Sequence, residues 1–169
     1  LDHDESELDE DEVEIIRGAL QLSEKHAGDI MLPVESVYWL KLNTELTPER
    51  IDEIISHGRS RIPIFNQELS RCNGILLMKD LVDINFDDER IYVSDIDLHP
   101  VQTVGSRTAL DTLLRKFINT GTHLFPVVRE NRIIGIVTIE DLIEEIVGQE
   151  IEDESEKRRA KRKVAAAQG

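Results

Sequence analysis

The 169 residues carry 20 Lys and Arg against 35 Asp and Glu, a formal charge of −15, a balance that excludes nucleic acid as the general partner. A single cysteine, Cys72, rules out an internal disulfide framework and a Cys-based zinc site and points to a reducing compartment. There is no run of 18 apolar residues and no signal peptide at Leu1-Asp2-His3-Asp4-Glu5, so the chain is expected to be soluble; starting without Met, it reads as a fragment of a longer protein whose membrane segment lies elsewhere.

From Asp2 to Glu14 nearly every second residue is acidic, and Val13, Ile16 and Leu20 recur at helical spacing with Ile15 and Ala19 beside them. The pattern predicts an acidic lead and an amphipathic helix over 1–26, ending near Lys25 or His26. Asp29-Ile30-Met31-Leu32-Pro33 follows, and Val37-Tyr38-Trp39-Leu40 has strand character. Thr47-Pro48-Glu49 predicts a helix start, with Ile51, Ile54 and Ile55 as its buried stripe and Gly58 as its end. Arg61-Ile62-Pro63-Ile64-Phe65 predicts a strand whose proline suits an edge or an end. Gly74-Ile75-Leu76-Leu77 predicts another, and Met78-Lys79-Asp80-Leu81-Val82 a short helix.

The pattern then restarts. Asp95-Ile96 repeats Asp29-Ile30 at an offset of 66, Gly121 and Pro126 repeat Gly58 and Pro63 at 63, and Gly135 and Asp141 repeat Gly74 and Asp80 at 61. Leu110, Leu113, Leu114 and Phe117 mark the repeated helix. An offset that shifts only in loops identifies an internal duplication. Each copy reads strand, helix, strand, strand, helix over about fifty to sixty residues, too few to bury a face alone, so two copies packed sheet to sheet about a pseudo-two-fold axis are expected. The last strand, 134–138, passes by a tight turn into a helix carrying Leu142, Ile143, Ile146 and Val147 on one predicted face. There Thr138, Asp141 and the first free helical N–H groups converge, a place suited to phosphate and sugar groups. The equally available reading is a helix cap, since Thr followed three residues later by an acid is close to a capping box.

Beyond Val147 the chain turns acidic and then basic, with Lys157, Arg158, Arg159, Lys161, Arg162 and Lys163 before an Ala-rich end. Residues past about Ser155 are expected to be disordered or loosely helical. His3, His26, His57, His99 and His123 lack metal-ligand spacing, and no nucleophile set or phosphate-gripping Gly-rich loop supports an enzyme.

The duplicated Gly-hydrophobic-hydrophobic-Thr-x-x-Asp ending resembles a tandem pair of cystathionine-β-synthase (CBS) domains. With Ile15-Ile16-Arg17-Gly18-Ala19-Leu20, Asp29-Ile30-Met31-Leu32-Pro33, Ser60-Arg61-Ile62-Pro63-Ile64-Phe65 and Gly135-Ile136-Val137-Thr138-Ile139-Glu140-Asp141, the chain is similar to the CNNM/CorC family of magnesium-transport membrane proteins over about residues 10 to 155. The resemblance implies an α/β (α+β) fold of two CBS motifs, 27–90 and 91–150, each a small three-stranded sheet with helices, followed by a charged tail at 151–169. It implies a regulatory cytosolic domain that binds Mg-ATP and homodimerises through its helices, joined to a transmembrane domain outside this chain. Thr138 would contact phosphate, Asp141 the ribose hydroxyls and Ile136 the adenine. Ser60, Arg61 and Pro63, with Arg59 before them, would face the nucleotide, and Mg²⁺ would ride on the phosphates. Animal members carry a long acidic loop that receives a phosphatase partner; here only Arg129-Glu130-Asn131-Arg132 joins the last two strands.

The two clefts so formed are not equivalent. One has Thr138 and Asp141 facing Arg59, Ser60 and Arg61. The other has Leu77 in place of the Thr and faces Thr122 and His123, which predicts one nucleotide per chain and leaves Asp80 a remnant. Arg59 and Arg61 can alternatively serve as surface ion pairs. The basic tail suits either an anionic leaflet or simple solubility. The competing function is a CBS scaffold that has lost its nucleotide.

Overall fold

The computed structural model describes residues 9–21 and 24–168. In chain order its elements are α1 (Glu10–Gln21), α2 (Ala27–Ile30), β1 (Leu32–Pro33), α3 (Pro48–Ser56), β2 (Arg61–Phe65), β3 (Cys72–Leu77), β4 (Val104–Gly105), α4 (Leu110–Thr120), β5 (Leu124–Arg129), β6 (Arg132–Thr138) and α5 (Ile139–Gln168), with 3-10 turns at Val34–Ser36, Met78–Leu81 and Val93–Asp95. The order strand, helix, strand, strand, helical turn occurs twice, as the repeat requires. The acidic lead before Asp9 lies outside the described residues.

Two compact units form. The sheet unit comprises Leu32–Gly105 and Phe125–Ile136. It contains a four-stranded sheet in the order β1-β6-β5-β4 and a two-stranded sheet of β2 and β3. The second motif's three strands lie together as expected, but β1 joins the far edge of β6, with Leu32 opposite Ile136 and Pro33 opposite Gly135. Beside β2, the place of a third strand is taken by Leu40, which bridges Ile64 in parallel. That bridge is the copy of the parallel pairing of Val104 with Val127. On β3, His99 bridges Ile75, the copy of β1 on β6. Each motif's leading segment thus pairs with the other motif's last strand.

Local causes are visible at the repeated residues. Asp29 Oδ2 accepts the His26 N–H at 2.8 Å and Asp95 Oδ2 the Tyr92 N–H at 2.9 Å, so the echoed Asp closes the same small turn in both copies. Thr47 Oγ1 caps α3 by accepting the Arg50 N–H at 3.1 Å, with Pro48 at the first helical position. Pro63 lies in an edge strand, and its carbonyl accepts the Leu40 N–H at 3.1 Å. Leu40, Leu46, Ile54, Ile62, Ile64, Leu76, Leu81 and Val93 form one buried cluster. Ile55, expected inside, is 59% exposed, because α3 turns only its Ile54 and Ile51 flank to the sheet. Residues 37–40 do not form the expected strand beyond the single Leu40 bridge; the Tyr38 ring lies 4.3 Å from that of His57 and Trp39 packs on Phe65. The hairpin between β5 and β6 closes through Glu130 and Asn131, both at positive φ (52° and 60°), as the twist of a two-residue turn requires.

The helical unit gathers α1, α2, α4 and α5, with residues to Met31, Ser106–Leu124 and from Val137 onward. Leu110, Leu113, Leu114 and Phe117 of α4 and Leu142 and Ile146 of α5 are buried. The α1 helix is described over Glu10–Gln21, and Glu24 and Lys25 are no longer helical, because by His26 the backbone is extended and bridged to Ala109. Ala27 and Gly28 donate their N–H groups to the Thr108 and Ser106 carbonyls, both at 2.8 Å. Lys25 forms an ion pair with Glu145. The expected apolar face of α5 divides: Leu142 and Ile146 point inward, whereas Ile143 and Val147, the next row round, are 45% and 49% exposed. Of the two states expected past Ser155, disordered or loosely helical, the chain has the helical one, and α5 is one helix of 30 residues. Acids at 153 and 154 precede bases at 157 and 158 by four residues, the order that stabilises a helix, and Ala160 and 165–167 add propensity.

Burial pushes the Cys72 thiol above its ordinary pKa of 9.0. The folded state therefore retains this proton after the unfolded chain has released it, and stability falls as pH rises above about 9. As the sole cysteine it reports cleanly: thiol labelling at neutral pH is expected to run at least about tenfold slower in the folded protein than in urea. Equal rates would contradict the burial.

Candidate functional site

The second motif's strand-to-helix junction is held by a reciprocal pair. Thr138 Oγ1 accepts the Asp141 N–H at 3.1 Å, and Asp141 Oδ2 faces the Thr138 N–H at 3.4 Å. Ile139 donates its N–H to the His123 carbonyl at 3.0 Å, anchoring the turn to the start of β5. The capping box anticipated as the plain reading is therefore present. It does not compete with ligand binding, since accepting one N–H leaves the Thr138 hydroxyl proton to donate and Asp141 a second carboxylate oxygen. Both side chains are half-buried, so a phosphate oxygen or sugar hydroxyl meeting them meets partly dehydrated, fixed groups.

The first motif repeats the frame with different chemistry. Met78 donates to the Ser60 carbonyl at 3.0 Å, the copy of Ile139 on His123. At the cap position Leu77 offers no side-chain hydrogen bond. Asp80 Oδ2 lies 2.7 Å from His99 Nε2. The adjoining cleft, about 550 Å³, is lined by Lys79, Asp80, Asp83, Asp95, Asp97 and His99 among others. Four carboxylates against one lysine make it unsuited to a triphosphate. The pattern of residues points to His99 only as one of five histidines without metal-ligand spacing. The relevant signal was its place in the repeat, where the second motif's leading segment meets β3.

The other predicted residues lie in the sheet unit. Arg59 and Ser60 are exposed and Arg61, opposite Leu77 in the β2–β3 register, is half-buried. Pro63 is buried, and Ile136 is 7% exposed on β6. Among the described residues neither Arg59 nor Arg61 has an ion-pair partner, so the surface-pair reading of these cations has no support there. Thr138 and Asp141 belong to the helical unit, and each set is held within its own unit. Among the described residues no group of three or more His, Cys, Asp or Glu is arranged to hold a metal ion, and no helix is long and apolar enough to cross a membrane.

Residues 93–148 match the CBS domain family. Relatives include protein MAM3 of Saccharomyces cerevisiae, 34% identical over 154 residues, covering 88% of this chain and 22% of that protein. The magnesium and cobalt efflux protein CorC of Escherichia coli K12 is 34% identical over 148 residues, covering 87% of this chain and 50% of CorC. The chain thus spans half or less of the length of these relatives. Among solved structures, the CBS domain of a bacterial CNNM/CorC family Mg²⁺ transporter in complex with ATP shares 30% identity and a TM-score of 0.69, covering 82% of this chain and 98% of that one. The CBS domain of a bacterial transporter of that family in complex with the inhibitor IGN95a gives 28% and 0.68, covering 83% and 87%.

Proposed function

Because the chain belongs to the CNNM/CorC family, as a CBS domain of that family, we propose that it is the Mg-ATP-sensing regulatory module of a membrane magnesium-transport protein. The observation that carries this reading is the junction of Thr138 and Asp141. A hydroxyl proton and a carboxylate stand ready on a capped helix start in one motif, whereas the other motif has Leu77 and an Asp80 already engaged by His99. In this reading Thr138 donates to a phosphate oxygen and Asp141 accepts from the ribose hydroxyls. Arg59, Ser60 and Arg61 neutralise and hold the triphosphate, and Pro63 and Ile136 supply apolar walls for the base. ATP brings its Mg²⁺ on its phosphates, so the protein needs no separate metal cage. The related domain solved with ATP supports the choice of ligand.

The proposed motif limits are 27–90 and 91–150, with the module on the cytosolic side of its membrane. The exposed Ile118 of α4 and Ile143 and Val147 of α5 give the helical unit an apolar surface for a second copy, so the working form is a homodimer. Nucleotide binding shifts that dimer between two arrangements, and α1 passes the shift to the membrane domain. In this reading the module's role is binding rather than turnover.

Calorimetry tests this. Mg-ATP is expected to bind once per chain, with affinity rising from AMP to ADP to ATP as charge facing the two guanidinium groups grows. Asp80→Ala is expected to leave binding within about twofold, since a change of this size is below the worth of one hydrogen bond. No heat at millimolar ATP, together with a melting temperature indifferent to every adenine nucleotide, would favour a scaffold role instead.

A further inference from the structure

Residues 155–167 of α5 are all exposed, so this stretch of helix has no packed side. Its charge order only partly explains it. Lys157 and Arg158 follow acids by four residues, but Lys161, Arg162 and Lys163 have no carboxylate three or four positions away on either side. They instead repeat the bases at 157, 158 and 159 at i,i+4, a like-charge spacing that weakens a helix. The last turn of α5 contains no base, so the helix dipole does not account for them either. At 100° per residue the six cations spread over about two-thirds of the circumference, too broad an arc for the narrow seam of a partner helix.

We propose that the stretch from Lys157 to Lys163 docks on an anionic lipid surface. A plane of mobile headgroups satisfies a broad cationic arc without requiring a register, which no single folded protein face does. Val164, 57% exposed, and the alanines at 165–167 give the segment an apolar end that can rest among headgroups. The net charge of −15 does not forbid this. Lys157 lies 18 residues beyond Ile139, about 27 Å along the α5 axis, and charges more than about 8 Å away are largely screened at physiological salt, so the acids nearest in sequence, such as Glu156, are the ones that oppose the docking. The inference draws on the membrane setting proposed above but not on nucleotide binding.

Co-sedimentation of the full chain with vesicles decides it. Partitioning onto vesicles containing phosphatidylserine is expected at physiological salt, falling as salt rises, with little on pure phosphatidylcholine. Exchanging Lys161, Arg162 and Lys163 together for Gln, which keeps helix propensity, is expected to lower partitioning about a hundredfold, at roughly fivefold per charge. Thr138→Ile is expected to partition as the parent does, so failure of the nucleotide reading and failure of this one are separable. Equal partitioning onto both vesicle types overturns the proposal, as does a triple variant that binds like the parent. So does a rise in sedimenting mass at low salt without vesicle binding, which would assign the basic stretch to the acidic lead of a second copy.

Discussion

Thr138→Ile is expected to abolish Mg-ATP binding while leaving the fold intact. Isoleucine keeps the β-branched shape that suits the end of β6 but removes the hydroxyl, and its extra carbons fill the place where a phosphate oxygen would approach. A charge-assisted hydrogen bond in a half-buried setting is worth about 1.5–3 kcal/mol, and the added bulk takes the loss in affinity beyond about a hundredfold. Asp141 loses its cap partner too, which costs about 1 kcal/mol of stability. The variant should therefore melt a few degrees lower, with an unchanged far-UV spectrum and no calorimetric response to Mg-ATP. Thr138→Ser, which retains both hydrogen bonds, should bind within a few-fold of the parent. An isoleucine variant that binds ATP as the parent does would show the pair to be a cap and nothing more.

The second large effect concerns stability. Phe65 closes β2, is fully buried, and its ring lies 5.6 Å from that of Trp39. Side chains alternate along the strand, so Ile62 and Ile64 serve the cluster shared with Ile54 of α3 while Phe65 fills the other side. Phe65→Ala is expected to cost about 3–5 kcal/mol, from lost burial, the cavity left behind and the lost ring contact. Against a typical domain stability of about 5–15 kcal/mol this is a large fraction. Urea denaturation should show a lower midpoint with little change in slope. Val82→Ala, at a position 78% exposed, is the control and should stay within about 0.5 kcal/mol. A Phe65→Ala midpoint indistinguishable from the parent's would mean that Phe65 is not part of the core.

Much of this was legible in the chain because duplication supplies its own alignment. The paired glycines Gly58 and Gly121 both end helices at positive φ, 63° and 65°, and the paired carboxylates Asp29 and Asp95 both close a turn. Thr47 and Pro48 announced α3, since a cap and its proline act over four residues and need no tertiary context. The misses required such context. The run from Val37 to Leu40 has strand-forming residues, but its rings found His57 and Phe65 before its backbone found a ladder. Ile143 and Val147 have core chemistry on an open row of α5. Past Ser155, where a disordered or loosely helical tail was expected, charge order at four-residue spacing favours the helical state for 157 and 158. At the site, the contrast of Thr138 with Leu77 could be read directly. The engagement of Asp80 by His99 could not, because it depends on which strand the second motif's leading segment joins.

That exchange of leading segments has a kinetic consequence. Leu32 pairs with Ile136, roughly a hundred residues further along the chain, and His99 returns to Ile75. During synthesis the first motif can close its own β2–β3 hairpin early. The β1 edge must wait until residues near 136 have left the ribosome, so completion of the four-stranded sheet is a late, high-contact-order event. A nascent chain halted before β6 therefore exposes an unpaired edge at Leu32 and Pro33, the point at which two such chains are most exposed to trading segments and assembling wrongly.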